Sequence, residues 1–313
     1  MKKWIGKTIF GTKKTVSTDK WHDRQRCQDD KGRKMADNIL QLDIKSILKA
    51  RIPKEKRRWI PPFLIKGIEK LIRQDELNEI LRATLPSEGS EFASRVMDYL
   101  NITLEVRGLE NLQEGKRYMF ASNHPLGGLD GIALISVLGK KYGDDNIRFL
   151  VNDMLMNVDP LKKLFLPINK FGKQGRENTL KINEGLASDM QIFQFPAGLC
   201  SRLKSNGEIS DMAWQKSFIS KAIEYNRDIV PVYFEAKNSM KFYKTAKWRK
   251  KLGIKFNMEQ ILLPSELCKA KGSHFKITFG HPVPIQQLAA AGKTPSVLAC
   301  EIRDLVYSYS TRS

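Results

Sequence analysis

Residues 121–130 read Ala-Ser-Asn-His-Pro-Leu-Gly-Gly-Leu-Asp directly after the strand-like run Tyr118-Met119-Phe120, and they set a histidine and a carboxylate six positions apart in a glycine-rich turn. A neutral imidazole accepts a proton near pH 7, and a carboxylate within reach fixes its tautomer and stabilises the imidazolium that forms. His124 and Asp130 are therefore the candidate general base and its orienter. Taken alone the pair leaves a second reading open, in which Asp130 caps the apolar helix expected over 131–138. The remaining histidines, His22, His274 and His281, have no such companion.

Two further segments suit an anion. Residues 167–176, Pro-Ile-Asn-Lys-Phe-Gly-Lys-Gln-Gly-Arg, form a glycine-bearing basic loop that opens a helix, so amides at the helix start and the side chains of Lys173 and Arg176 can hold a phosphate or carboxylate. Residues 194–202 close an apolar strand and turn at Pro196-Ala197-Gly198, which sets Ser201 and Arg202 at the mouth of a sheet with Arg202 as a second anion ligand. Each segment also fits a bland solvated loop.

A third cluster is basic and aromatic. Lys237, Lys241, Lys244, Lys247, Arg249, Lys250, Lys251 and Lys255 occur with no acidic residue between them, alongside Phe242, Tyr243, Trp248 and Phe256. Near an anionic bilayer each such charge is worth about 1 kcal/mol, and aromatic rings favour the interface. The candidate docking residues are Lys241, Lys244, Trp248, Arg249, Lys250 and Lys251, for a membrane or for an acidic carrier protein.

The elements that must position these groups follow from periodicity. Leu40, Ile44, Ile47 and Leu48 recur at helical spacing, and after Pro61-Pro62 a second helix puts Leu64, Ile68, Leu71 and Ile72 on one face with Lys66, Lys70 and Arg73 on another. From about residue 102 strands and helices alternate: strands over 102–106, 117–122, 148–151, 191–195, 229–234 and 276–279, helices from 131 and over 178–189, 214–225 and 296–307. That order implies an α/β domain with a mixed sheet flanked by helices, and places the chemical segments at strand ends, where such sheets hold ligands. The expected organisation is a disordered basic leader over 1–34, an N-terminal helical segment over 35–99 and the α/β domain over 100–313.

Composition narrows the class. The 313 residues are 41% hydrophobic, enough for a sizeable core, and carry a net charge of +20, which points to a polyanionic partner. The leader supplies eleven Lys or Arg against four Asp with almost no apolar pattern, and Met35, just ahead of a helical pattern, is the expected natural start. The four cysteines lack the Cys-x-x-Cys spacing of a metal or redox site, so a reduced, cytoplasmic setting is expected with no metal. No stretch has the roughly 18 apolar residues of a spanning helix, so a membrane would be met from its surface.

In order and spacing, Asn123-His124 with Asp130, the loop from Phe171 to Arg176, Phe195-Pro196-x-Gly198 and Ile229-Val230-Pro231-Val232 resemble the four blocks of the glycerolipid (lysophosphatidic acid type) acyltransferase family, and Thr278-Phe279-Gly280-His281-Pro282 is similar to its late strand. The resemblance covers about residues 100–310. Two departures stand out. Five residues, 125–129, separate the histidine from the aspartate, one more than is usual in the family, and they include glycines that can bulge to restore the pairing. The third block usually reads Phe-Pro-Glu-Gly-Thr-Arg, whereas here Ala197, Leu199 and Cys200 replace the Glu, Thr and Arg, with Arg202 two places on. These forms are more similar to the bacterial branch that acylates lyso-aminolipids, the ornithine and glycine lipids, whose head carries a carboxylate.

The resemblance implies transfer of an acyl group from an acyl-carrier protein or acyl-CoA thioester to the hydroxyl of a single-chain lipid, with no bound cofactor. It implies His124 as base, Asp130 as orienter, amides of the Gly127-Gly128 turn at the oxyanion, and Lys173, Arg176, Gly198, Ser201 and Arg202 around the acceptor head. It further implies a peripheral protein on the inner face of the cytoplasmic membrane. Two alternatives remain at this stage: a non-catalytic lipid-binding module on the same fold, and a basic nucleic-acid-binding protein, for which no helix-turn-helix, finger, RNP or KH pattern is present.

Overall fold

Alternation along Tyr118–Ser122 builds the centre of the molecule: Tyr118 and Phe120 enter one apolar core, Met119 and Ala121 the other, and the strand is buried on both sides. The computed structural model describes residues 62–168, 175–253 and 258–311. The expectations for 1–34 and 35–61, and for Lys173, lie outside the described residues.

In chain order the helices and strands are α1 (Pro62–Ile72), α2 (Gln74–Thr84), α3 (Gly89–Tyr99), β1 (Thr103–Arg107), β2 (Tyr118–Ser122), α4 (Leu129–Tyr142), β3 (Ile147–Asn152), β4 (Phe165–Ile168), α5 (Arg176–Ala187), β5 (Gln191–Gln194), β6 (Arg202–Leu203), β7 (Ile209–Ser210), α6 (Ser217–Glu224), β8 (Asp228–Glu235), α7 (Met240–Lys251), α8 (Leu263–Lys269), β9 (His274–Phe279), α9 (Ile285–Ala290) and α10 (Pro295–Ser308). Seven strands form one sheet in the order β1-β9-β8-β2-β5-β3-β4, parallel except between β8 and β9, while β6 and β7 make a separate antiparallel hairpin. The sheet is mixed and flanked by helices, as the alternation implies.

One face packs Phe120, Val230, Val232, Phe234 and Phe279 against Phe92 and Val96 of α3 and Ala133, Leu134 and Leu138 of α4. The other packs Met119, Ala121, Ile192 and Ile229 against Phe218 and Ile219 of α6 and Leu298, Ile302 and Val306 of α10. Helices α2 and α3 thus share a core with the sheet.

Three local expectations need correction. Helix α4 begins at Leu129, two residues before the expected start, so Asp130 lies in its first turn. Leu71 points outward and is exposed beside the exposed Phe63, while Ile72 carries the inner contact. The basic stretch after residue 237 is largely helical as α7, with Phe242, Tyr243 and Ala246 buried and Trp248 exposed. No described helix is long and apolar enough to cross a membrane.

Candidate active site

The chain leaves the C-terminal end of β2 into residues 123–128, beside the segment that leaves β5 at 195–201. Asn123 anchors the first loop: its side-chain amide donates to the Phe234 carbonyl at 2.9 Å and accepts from the Phe234 N–H at 2.7 Å, clamping the loop to β8. Asn238 donates to the Pro125 carbonyl at 3.1 Å. The Ser201 N–H donates to the His124 carbonyl at 2.8 Å, so the two loops are joined through their main chains.

Within that frame His124 Nδ1 lies 2.9 Å from Asp130 Oδ2. The five intervening residues are taken up by a left-handed turn at Gly127, φ +80, where a Cβ would sit 2.9 Å from Leu263 Cδ2 and 3.1 Å from Cys200 Cβ. Asp130 is fully buried, and its carboxylate also accepts from the amides of Leu126 at 2.9 Å, Gly127 at 3.2 Å and Gly131 at 2.9 Å. Burial by itself would raise the Asp130 pKa, but the facing imidazole, its hydrogen bond and the amides of Leu126 and Gly127 outweigh it and hold the carboxyl below its ordinary value. The ionised carboxylate is an acceptor only, so Nδ1 carries the proton and Nε2 keeps its lone pair.

The imidazole is stacked on Phe195, ring centroids 3.9 Å apart and planes 22° apart, and the His124 side chain is 15% exposed. One edge of the ring is thus bound to Asp130, one face is covered, and the ring keeps some exposure. Sequence reasoning singled out Phe195 for its motif without seeing that it is the platform for the His124 ring; an aromatic one residue past a strand, ahead of a Pro-x-Gly turn, is the signal available for it. Asp211, which accepts the His124 N–H, was missed altogether.

The other expected site residues divide. The Gly127 N–H is bound to Asp130, so it is not available to an oxyanion, and Gly128 at the start of α4 is the member of the pair not bound there. Gly198 has φ +64 and closes its turn by donating to the Phe195 carbonyl. Ser201 is buried and donates to Asp211 at 2.6 Å. Arg202 is committed elsewhere: it donates to Glu259 Oε1 at 2.9 Å and to the Cys200 carbonyl at 2.7 Å, and lies over the Phe242 ring. Glu259 is fully buried and also binds Arg249 at 2.8 Å. The expectation that Ser201 and Arg202 face the ligand, and that Arg249 faces a membrane, gives way to an internal clasp between α7 and the third block. Glu259 carries one negative charge against two guanidiniums, and the loss of both would leave it buried and uncompensated.

Arg176 is exposed at the first position of α5, which follows β4, and β4 ends on the same side of the sheet as β2. On α7, Trp248 (63%) and Leu252 just beyond it (66%) are the most exposed apolar side chains, next to Met240 and flanked by Lys241, Lys244 and Lys251. A second groove, containing Lys70, Leu71, Lys241 and Lys269, joins this surface to α1.

The acyltransferase family matches this chain over residues 46–306. A lyso-glycine lipid O-acyltransferase of Phocaeicola vulgatus is 44% identical over 271 residues, which cover 87% of this chain and 96% of that protein. The protein of the same name from Bacteroides thetaiotaomicron is 43% identical, covering 87% and 98%. Among solved structures, the 1-acyl-sn-glycerophosphate (LPA) acyltransferase PlsC from Thermotoga maritima aligns with 82% of this chain and 87% of that one, at 14% identity and a TM-score of 0.44.

Proposed function

Because the chain belongs to the acyltransferase family, we propose that it transfers a fatty acyl group from a thioester to the hydroxyl of a lyso-aminolipid whose head carries a carboxylate, of which lyso-glycine lipid is the leading case. The observation that carries this reading is the His124–Asp130 pair, closed at 2.9 Å on a partly open loop. His124 Nε2 takes the proton of the acceptor hydroxyl as its oxygen attacks the thioester carbonyl carbon. The tetrahedral intermediate places negative charge on the former carbonyl oxygen, for which the Gly128 amide at the N-terminus of α4 is the candidate donor. Collapse breaks the C–S bond, and the imidazolium returns the proton to the departing thiolate of an acyl-carrier protein or CoA. Asp130 holds the tautomer throughout.

With Arg202 held by Glu259, Arg176 and Lys173 are the proposed partners of the acceptor head. A carboxylate is planar and pairs bidentately with a guanidinium, so Arg176→Lys is expected to raise the apparent KM for the acceptor far more than for the thioester. The test supplies purified protein with an acyl thioester and competing lyso-glycine lipid and lysophosphatidic acid, and identifies diacylated products by mass spectrometry. The aminolipid product should dominate; equal or greater use of lysophosphatidic acid overturns the acceptor while leaving the reaction class in place.

The lipid acceptor requires access to a bilayer, and the proposed contact is the outer face of α7 together with the exposed Phe63 and Leu71 of α1, at the inner face of the cytoplasmic membrane. The exposed rings and aliphatic chains enter the interface while the flanking lysines meet anionic lipid. Co-sedimentation with phosphatidylglycerol vesicles is expected to fall at least about tenfold when Trp248→Ala is combined with Lys241→Glu and Lys244→Glu. Unchanged binding of that triple variant removes α7 from the contact.

A further inference from the structure

Asp211 lies in none of the sequence blocks, yet it stands behind the proposed base with nothing but donors around its carboxylate. Its side chain accepts the His124 N–H at 3.2 Å on both oxygens, the Ser201 hydroxyl at 2.6 Å and the Trp214 indole N–H at 3.0 Å, and it is buried. Its main chain is held as well: the Asp211 N–H donates to the Tyr307 hydroxyl at 2.7 Å, and Arg303 donates to the Asp211 carbonyl at 3.1 Å. Both side chains come from α10. These donors favour the anion, while burial opposes it.

The charged and titratable groups facing Asp211 are His124 from the loop after β2, Cys200 from the loop after β5, and Tyr307 and Arg303 from α10. Two carboxylates therefore bear on one imidazole, Asp130 through the ring nitrogen and Asp211 through the main chain and through space. A displacement of about 1 Å at a reacting group can cost a hundredfold in rate, so fixing the peptide that carries the base is a catalytic requirement as much as a structural one.

We propose that Asp211 is a positioning residue of the acyl transfer, an anion that fixes the His124 main chain and, with Asp130, stabilises the imidazolium. This rests on the reading of His124 as the base. Burial pushes the Asp211 pKa up, against the pull of Ser201, Trp214 and His124, so the charge is held by this set of donors and weakens when one is removed.

The test is the pH profile of steady-state kinetics on the full chain. In Asp211→Asn the acid limb of kcat/KM is expected to move to lower pH. In addition kcat falls about 10- to 100-fold at nearly constant thioester KM. A residue that merely supports the fold lowers activity without moving that limb, and that result overturns the proposal. Ser201→Ala removes one donor and so weakens the hold on the charge; it is expected to fold and to lower kcat about three- to tenfold, and an unchanged kcat overturns the proposal even where Asp211→Asn does not fold. Normal turnover in His124→Ala instead removes the base reading itself.

Discussion

His124→Ala is expected to leave a folded protein in which acyl transfer falls by about 10² to 10⁴, the range for losing a positioned acid-base group. The imidazole is at the surface of the cores rather than within them, so its loss costs little packing, and the loop is held by Asn123, Asn238 and the main-chain bond to Ser201. Asp130→Asn is expected to fall in the same range by a different route. An asparagine amide turned toward Nδ1 reverses the tautomer and removes the lone pair from Nε2, and it also meets the Leu126 and Gly127 amides as a donor facing donors. Melting temperature reports on both variants. His124→Ala should melt lower because it strips the fully buried Asp130 carboxylate of its facing imidazole, and Asp130→Asn should melt lower because the parent carboxyl is held below its ordinary pKa. Its stabilising contribution is present above the unfolded-state value and is lost as pH falls through the folded one. Single-turnover assays and calorimetry measure the two quantities, and near-normal turnover in His124→Ala removes the histidine from the mechanism.

The candidate pair was legible because its parts are contiguous: histidine, glycines and aspartate share ten residues, and the apolar alternation of β2 fixes where the turn begins. The mixed sheet was legible for the same local reason. Arg202 was misjudged because the carboxylate that holds it, Glu259, is 57 positions away, and no local pattern reveals that a buried acid will claim a basic side chain. Lysines hid the helix α7, whose inner face is only Phe242, Tyr243 and Ala246. The strand β4 escapes sequence reading because it contains Pro167; it is an edge strand, where a missing N–H is tolerated. Asp211 was invisible since its meaning lies in donors from three separate segments.

The second large effect concerns stability and falls at the opposite end of the same strands. Arg227 is fully buried, and its guanidinium donates to five main-chain carbonyls: Leu186 at 2.8 Å, Tyr118 at 3.2 Å, Met190 at 2.7 Å, Gly185 at 3.2 Å and Ser188 at 2.5 Å. These comprise the last turn of α5 and the residue after it, the first residue of β2 and the residue before β5. Five donors in a rigid fork meet five acceptors, three of which are carbonyls that a helix end leaves without partners. Burial pulls the Arg227 pKa down to about 10, so the group stays charged at neutral pH and favours the negative end of the α5 dipole. Arg227→Met fills much of the volume but takes the guanidinium from all five carbonyls, of which Gly185 keeps the Ser188 hydroxyl at 2.8 Å; a buried carbonyl left without a donor costs about 1 to 3 kcal/mol, less whatever water recovers. The expected net loss is about 3 to 5 kcal/mol, or about 10 °C in melting temperature. Arg227→Lys keeps the charge but offers three donors from one point, so it should fall between the two. Because β2 and β5 carry His124 and Phe195 at their far ends, the activity of Arg227→Met at low temperature should track its folded fraction, with KM unchanged. A melting temperature within 2 °C of the parent would mean that the carbonyls find other donors and that the register of these strands is set without the arginine.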